Sequence, residues 1–134
     1  MKKLYTVHEV ALKMDISPHT LRFYENQGLF PHVSRNQYNV RQFSIEDLDW
    51  VQIVQTLRTT GMSLAEVKRY IDLCELGNTT INERSRLITE QRENAEKELI
   101  KLKKKIQILE EKEQYYEELV LEAGIDHRNP KINH

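Results

Sequence analysis

Residues 6–27 read TVHEVALKMDISPHTLRFYENQ, and this stretch predicts two short helices joined by a tight turn. The apolar residues of the first helix, over 6–14, recur at the spacing of one helix face and are Val7, Val10, Ala11 and Met14. Ser17, followed by a proline, predicts the start of a second helix over 18–27, because serine caps helices and proline suits their first position. Two helices with so short a connection form a helix-turn-helix motif.

The second helix presents a candidate DNA-reading surface. Leu21 completes a small core with Ile16, so most other side chains of this helix point away from the core. The first residues of a recognition helix meet base edges in the major groove, and the free backbone N–H groups there favour a nearby phosphate. The side chains in question are His19, Thr20, Arg22, Phe23 and Tyr24, and we expect one of the two aromatic rings to pack inward.

A β-hairpin is predicted between residues 29 and 43. This segment contains two asparagines, which favour turns, and Tyr38, Val40 and Phe43, which are spaced as in a short β-ribbon. We expect its turn near Ser34-Arg35-Asn36-Gln37, since asparagine tolerates the positive φ of hairpin turns. In this hairpin two arginines flank an aromatic side chain, at Arg35, Tyr38 and Arg41. Such a pattern suits a wing, a hairpin beside the recognition helix that lies along the DNA backbone or enters the minor groove. Taken alone, these residues fit equally well a solvated hairpin whose arginines serve solubility.

Capping residues and glycines mark the helix boundaries. A hydroxyl residue followed three positions later by an acid predicts a capping box, and it occurs at Thr6 with Glu9, Ser44 with Asp47, Ser63 with Glu66, and Thr80 with Glu83. Glycine is typical of the left-handed residue after a helix, and each glycine follows a periodic segment, at Gly28, Gly61, Gly77 and Gly124. The further helices predicted lie over 45–60, 63–76 and 81–121.

Residues 81–121 predict a coiled coil. Apolar residues recur every seven positions at Ile81, Ile88, Ala95, Leu102, Leu109 and Tyr116, and a second seam position holds Leu99, Ile106 and Val120, interrupted by Arg92 and Glu113. A helix of this length extends for roughly 60 Å, far beyond the reach of a small core. Because the chain has no second helix of comparable length, we expect a homodimer, with its interface at Ile88, Ala95, Leu99, Leu102, Ile106, Leu109, Tyr116 and Val120. The alternative is a solvated single helix, which would have no reason to keep the repeat.

Composition limits the class of protein. The 134 residues carry a net charge of −1 and contain no apolar run long enough for a signal peptide or a membrane span, so we expect a cytoplasmic protein without a membrane partner. Residues 1–45 carry six Lys and Arg against three Asp and Glu, whereas residues 46–76 carry three against six. The mildly basic third therefore coincides with the predicted helix-turn-helix.

Three segments carry a family resemblance: LRFYENQGL at 21–29, the arginine-to-aromatic end of the hairpin at 41–43, and RTTGMSLAEVK at 58–68. Over about residues 4–76 the chain resembles the winged helix-turn-helix domain of the MerR family of bacterial transcription regulators. The resemblance implies a mainly α fold. It places a DNA-binding domain at 1–76, a dimerisation helix forming an antiparallel coiled coil at 77–122 and a short tail at 123–134.

The same resemblance implies particular DNA contacts. Recognition-helix contacts would come from Thr20, Arg22 and Tyr24, wing contacts from Arg35, Tyr38 and Arg41, and a phosphate contact from Arg58. His19 occupies a position that varies in such proteins, and Ser17 and Phe23 complete the candidate set. The implied partner is a pseudo-palindromic promoter whose spacer is distorted, so that RNA polymerase meets both promoter elements in phase.

The sequence says less about which effector the regulator would sense. Only residues 123–134 follow the long helix, so we expect the short form of the family without an appended effector-binding domain, and an unidentified small-molecule or redox effector. The single cysteine, Cys74, excludes an internal disulfide, and with His127 and His134 it offers too few ligands for a metal, so no cofactor is expected. A structural cysteine is favoured, and a thiol sensor is the alternative.

Two other classes of function remain as alternatives. A coiled-coil adaptor would use the same N-terminal domain, residues 1–76 (the head), to bind a protein. It would keep that partner when the arginines and the tyrosine expected to face DNA are truncated. An enzyme is not expected, because the sequence shows no nucleophile–base pair, metal motif or phosphate loop. The acids of the head, Glu9, Asp15 and Glu25, are expected to be caps and solvent-facing charges.

Overall fold

Five α-helices, one 3-10 turn and a two-stranded hairpin make up the computed structural model, which describes residues 3–131. The elements are α1 Val7–Met14, α2 Pro18–Asn26, β1 Ser34–Arg35, β2 Arg41–Gln42, α3 Ile45–Thr59, α4 Leu64–Glu75, the 3-10 turn Asn78–Thr80 and α5 Ile81–Glu122. The predicted mainly helical class, with a helix-turn-helix, a small antiparallel sheet and a long C-terminal helix, is confirmed. The helix boundaries agree with the predictions to within one residue.

One apolar core joins the first four helices and the hairpin. Its buried members include Val7 and Val10 of α1, Leu21 of α2, Phe30 and Phe43 on either side of the hairpin, Val51 and Val54 of α3, and Val67 and Ile71 of α4. Met14 and Ile16 are half-buried and pack against this cluster, as the helical spacing predicts. Burial of a large aliphatic or aromatic side chain contributes about 1.5–3 kcal/mol, so this shared core holds α1 and α2 in place.

Helix starts follow the predicted caps in three cases. Thr6 and Ser44 form reciprocal capping boxes with Glu9 and Asp47, and Ser17 caps α2 just before its proline. The backbone N–H of Thr6, and then its hydroxyl, hold the pKa of Glu9 below the usual value, because these hydrogen bonds favour the carboxylate.

The other two predicted boxes differ from expectation. Ser63 accepts a hydrogen bond from the backbone N–H of Glu66 at 3.2 Å, without a reciprocal bond recorded for the Glu66 side chain. The box predicted at Thr80 is wrong, because Thr80 ends the 3-10 turn that runs into α5. Its hydroxyl is buried and donates to the carbonyl of Leu73 at 2.6 Å.

Left-handed residues end most of the helices, although they are not always the predicted glycines. Gly28, Gly61 and Gly77 have φ near +80°. At Gly28 a Cβ would also lie 2.9 Å from Cε of Lys68. The prediction for Gly124 is wrong: the residue with positive φ after α5 is Ala123, at 49°.

The hairpin turn lies further along the chain than predicted. The strands pair Ser34 with Gln42 and Arg35 with Arg41, so the turn spans residues 36–40 rather than 34–37. Asn39 supplies the positive φ of 60°, and the side chain of Asn36 accepts hydrogen bonds from two backbone N–H groups within the turn. Tyr5 extends the sheet through two backbone hydrogen bonds with Phe43, of 2.7 and 2.9 Å.

The chain divides into two compact units between Gln91 and Arg92, inside α5. The start of α5 belongs to the first unit because its side chains bond to the preceding elements. The guanidinium of Arg84 donates to the carbonyl of Gly77 at 3.1 Å, and the amide of Gln91 donates to the carbonyl of Thr60 at 2.9 Å. The domain limits inferred from the sequence, 1–76, 77–122 and 123–134, stay predictions.

Residues after α5 fold back onto its last turns. The Tyr115 hydroxyl donates to Oδ1 of Asp126 at 2.6 Å, and the guanidinium of Arg128 lies 4.0 Å from the Tyr115 ring centroid. This hydrogen bond raises the pKa of Tyr115 and lowers that of Asp126. The predicted tail therefore has structure of its own.

The difference between the two caps of α3 and α4 gives a test. Ser44→Ala removes one half of a reciprocal box whose acid, Asp47, is only 2% exposed, and it should lower the free energy of unfolding by about 1–2 kcal/mol. Ser63→Ala removes a single exposed bond and should cost about 0.5–1 kcal/mol. Urea unfolding of the two variants measures this, and a larger loss at Ser63 would contradict the assignment.

Candidate nucleic-acid interface

The N-terminus of α2 is fixed by its cap. The Ser17 hydroxyl accepts a hydrogen bond from the backbone N–H of Thr20 at 3.0 Å, and the two hydroxyl oxygens lie 2.7 Å apart. Pro18 occupies the first turn, where its missing N–H leaves no bond unmade. The remaining N–H groups of this turn point out of the helix and favour an anion.

The exposed face of α2 carries three of the candidate side chains. Leu21 is fully buried, so His19 and Phe23 lie on the solvent side and Arg22 is half-buried beside them. Within the described residues, neither His19 nor Arg22 forms a hydrogen bond or an ion pair. Both side chains are therefore available to a ligand. The expectation that one aromatic ring packs inward is met by Tyr24, whose ring packs edge-on against Phe30 at 6.5 Å.

A cleft beside α2 brings together three more candidates. It has a volume of about 370 Å³ and is lined by Ile16, Thr20, Tyr24, Gln55, Arg58 and Thr59. One guanidinium nitrogen of Arg58 donates to the carbonyl of Met62 at 2.6 Å, and its Nε is buried without a hydrogen-bond partner in the described chain. A buried N–H group without a partner is unusual in folded proteins.

The wing arginines converge on one carboxylate. Oε1 of Glu25 lies 3.4 Å from Nε of Arg41 and 3.5 Å from Nη2 of Arg35, and Nη2 of Arg41 donates to Oδ1 of Asn26 at 2.6 Å. The side chains of Glu25 and Arg41 are only 12% and 16% exposed. The expectation that Glu25 faces solvent is therefore wrong, because its carboxylate joins the hairpin to the end of α2.

The hairpin tip carries Tyr38, which is 75% exposed. The turn beneath it is held by the side chain of Asn36, which accepts from the backbone N–H of Tyr38 at 2.8 Å and of Val40 at 3.0 Å. Arg35 also donates to the carbonyl of Asn39 at 3.3 Å. A tyrosine on a braced turn can insert into or lie along a groove without ordering the loop first.

Sequence reasoning missed several positioning residues. Besides Glu25, the amide of Gln55 donates to the carbonyl of Met14 at 2.8 Å, which ties α3 to the end of α1. Nε2 of His32 lies 2.8 Å from Oε1 of Glu75, which ties the segment after α2 to α4. These partners lie 41 and 43 residues apart, so no local pattern marks them.

Cys74 is half-buried near the end of α4. Its Sγ lies 3.8 Å from a guanidinium nitrogen of Arg84. Burial, followed by the nearby thiol, raises the pKa of Tyr70. Residues 3–131 contain no group of three or more His, Cys, Asp or Glu side chains that could hold a metal ion, and His134 lies outside the described residues. A sensing role for Cys74 stays a prediction.

The candidate contacts thus fall into four places: the cap Ser17, the exposed face of α2, the cleft and the hairpin. All ten roles remain predictions, although the structure brings three of the side chains together in the cleft and two arginines together at Glu25. Within residues 3–131, none of the helices combines the length and the apolar character needed to span a membrane.

Comparison with known proteins gives concordant matches. The model of the MerR HTH family of regulatory proteins matches residues 5–74. A Haemophilus influenzae protein named as an uncharacterized HTH-type transcriptional regulator is 40% identical over 84% of each chain. The crystal structure of HiNmlR, a MerR family regulator lacking the sensor domain, bound to promoter DNA, is 38% identical, with a TM-score of 0.70 over 89% of this chain and 94% of that one.

A crystal structure of a MerR family transcriptional regulator from Bacillus thuringiensis is 30% identical, with a TM-score of 0.68 over 85% of this chain and 100% of that one. The matched relatives are named as regulators of transcription, and the family model covers the helix-turn-helix and the hairpin. The chain belongs to the MerR family of helix-turn-helix transcriptional regulators.

Proposed function

We propose that the protein is a cytoplasmic, homodimeric regulator that binds a pseudo-palindromic promoter site and acts with RNA polymerase there. The observation that carries the proposal is the exposed face of α2 beside a braced hairpin. This arrangement occurs in a chain that resembles, over 89% of its length, a regulator whose crystal structure holds promoter DNA. The free side chains of His19 and Arg22 would read base edges or bind phosphates at the N-terminal part of α2.

The cleft would bind the DNA backbone. Arg58 holds its guanidinium against the carbonyl of Met62, which orients the group, while its buried Nε–H has no partner among the described residues. Thr20 and Tyr24 add hydroxyl groups on the same wall. An oriented guanidinium with hydroxyl donors around it suits a phosphate oxygen, because charge-assisted hydrogen bonds are the stronger ones.

Dimerisation would bury the apolar seam of α5. Large apolar side chains on this seam are exposed in the single chain, at Ile88, Leu99, Leu102, Ile106, Leu109, Tyr116 and Val120. A row of such residues on one helix marks an interaction surface, and a second copy supplies the matching repeat.

Two heads joined by paired helices would bind both half-sites fully only when the intervening DNA is bent or untwisted. Such a deformation costs on the order of several kcal/mol, which the added contacts must offset. The distortion can bring promoter elements into phase for RNA polymerase. Activation of this kind needs no strong contact between the regulator and the polymerase.

The reading role of α2 is tested with Arg22→Ala. Loss of one arginine contact to a base or phosphate should weaken binding to the specific site about 10–100-fold, and a lost phosphate contact should also reduce the salt slope by about one. Arg86→Ala, which removes an equal charge from α5, serves as the control. Fluorescence anisotropy at several salt concentrations measures both effects, and equal losses in the two variants would contradict the assignment.

The anchoring role of Glu25 is tested with Glu25→Gln. The substitution removes one negative charge, which by itself would strengthen binding to DNA, but it leaves the mostly buried Arg41 without its carboxylate. We expect affinity for the specific site to fall about tenfold and stability to fall by about 1–3 kcal/mol. Asp49→Asn gives the same charge change elsewhere in the head, and tighter specific binding by Glu25→Gln would refute the anchor.

The distortion mechanism is tested on DNA upstream of the protein's own gene. Footprinting should protect an inverted repeat inside an unusually long spacer between promoter elements. Deleting about two base pairs from that spacer should raise basal transcription and remove the dependence on the regulator. Protection over a spacer of ordinary length would indicate occlusion instead, and a head that binds a protein but no DNA would support an adaptor.

A further inference from the structure

Charged residues flank the apolar seam of α5 in an ordered way. Two acids, Glu96 and Glu98, lie on one side of the helix midpoint, and two lysines, Lys103 and Lys105, lie on the other. In heptad terms each residue stands directly beside a seam position, where charges decide partner and orientation in coiled coils. In the described chain neither lysine forms a hydrogen bond or an ion pair. The lysine charges are therefore available to a second copy, whereas the two acids also form exposed ion pairs along the helix, with Arg92 and Lys101.

Antiparallel pairing converts this order into a register. In an antiparallel pair, each seam residue of one copy faces a seam residue of the second copy. Because the two chains run in opposite directions, the residue numbers of every facing pair add up to the same value. When Leu99 faces Leu102 of the second copy, Arg92 faces a leucine, and Ile81 faces Val120 at the ends of the seam. Glu96 then stands beside Lys103 of the second copy, and Glu98 stands beside Lys105 of the second copy. Symmetry makes each pair occur twice, so four opposite-charge pairs surround the centre.

Neighbouring registers lose this match. A shift of one heptad in one direction places Glu96 beside Glu110 of the second copy, and each of the two lysines beside the same lysine of the second copy. Only one attraction remains there, between Glu98 and Lys112. A shift in the other direction places each of the two acids beside its own copy. Like charges in these positions are destabilising, so the flanking residues favour one antiparallel register over both neighbours.

A parallel dimer has a different balance of attractive and repulsive charge pairs. Its flanking charges also match, with Glu98 beside Lys103 of the second copy. However, Arg92 and Glu113, the charged residues that interrupt the seam, would each face their own copy at buried positions. Burying two like charges together costs far more than exposed pairs return. The antiparallel arrangement avoids both contacts.

The family resemblance implies an antiparallel pair of α5 helices. Within that pair, we propose that Leu99 lies opposite Leu102 of the second copy, and that the pairs Glu96–Lys103 and Glu98–Lys105 between the two copies fix this register. The inference rests on the proposed homodimer and adds its register and the residues that set it. A wild-type chain that sediments as a monomer would overturn the proposed dimer, whereas a dimer in another register would overturn only this inference.

Spin-label distances measure the register directly. Labels are attached to Glu93→Cys or Glu111→Cys in a Cys74→Ser background, on the face of α5 away from the seam. The proposed register predicts separations along the helix axis of about 23 Å at position 93 and about 32 Å at position 111. A one-heptad shift gives about 33 and 21 Å, or about 12 and 42 Å, and a parallel dimer gives equal values near zero. Any of these three patterns would overturn the register.

Charge exchange tests the pairs themselves. Lys103→Glu should weaken dimerisation by about tenfold at low salt, because two attractive pairs become repulsive, and the loss should fade near 1 M salt. Adding Glu96→Lys should restore dimerisation, whereas adding Glu98→Lys, two residues away, should weaken it further. Sedimentation equilibrium provides the measurement. Rescue by Glu98→Lys would indicate a parallel pair, and either that result or a lack of rescue by both would overturn the inference.

Discussion

The ion pairs of Glu25 are the constraint on which the candidate DNA-binding surface depends. A two-stranded hairpin with two residues in each strand has little stability of its own. Here it is held from one side by the backbone bonds between Tyr5 and Phe43, and from the other by Glu25, which engages arginines of both strands. The hairpin therefore keeps a defined position beside α2 before any ligand binds, which reduces the entropy lost on binding.

This arrangement divides the basic side chains into two groups. Arg41 is largely buried and neutralised within the chain, so its principal role in the free protein is to position the hairpin. Arg22 and His19 have no partner in the part of the chain that the structure describes, so their hydrogen-bonding groups remain available, as the proposed DNA contacts require. A chain with a net charge of −1 can bind DNA in this way, because a few oriented cations on one surface matter more than the sum.

The sequence predicted features that depend on neighbours in the chain. The cap at Ser17 and the inward face of α1 follow from residues within one or two helical turns, and both were confirmed. The position of the hairpin turn was missed because two asparagines competed for it, and the one at position 39 adopts the positive φ. The sequence pattern predicts a solvent-facing Glu25 because its two arginines lie 10 and 16 residues away in the chain, and only the folded hairpin brings them to its carboxylate.

The affinity of the head for DNA and the pairing of α5 are physically linked in the proposed dimer. A single head offers few contacts. In the proposed dimer, non-covalent pairing of the α5 helices would hold two heads together and make the second DNA contact an intramolecular one, with a large gain in effective affinity. That gain exists only when the heads are spaced to suit the DNA. Since one heptad of register changes the separation of equivalent points by about 10 Å, or roughly three base pairs, an error in helix pairing would misplace a half-site completely. In the proposed dimer, individually weak surface charges would therefore have a decisive effect: they need only favour one register over its neighbours, while burial of the apolar seam would supply most of the stability.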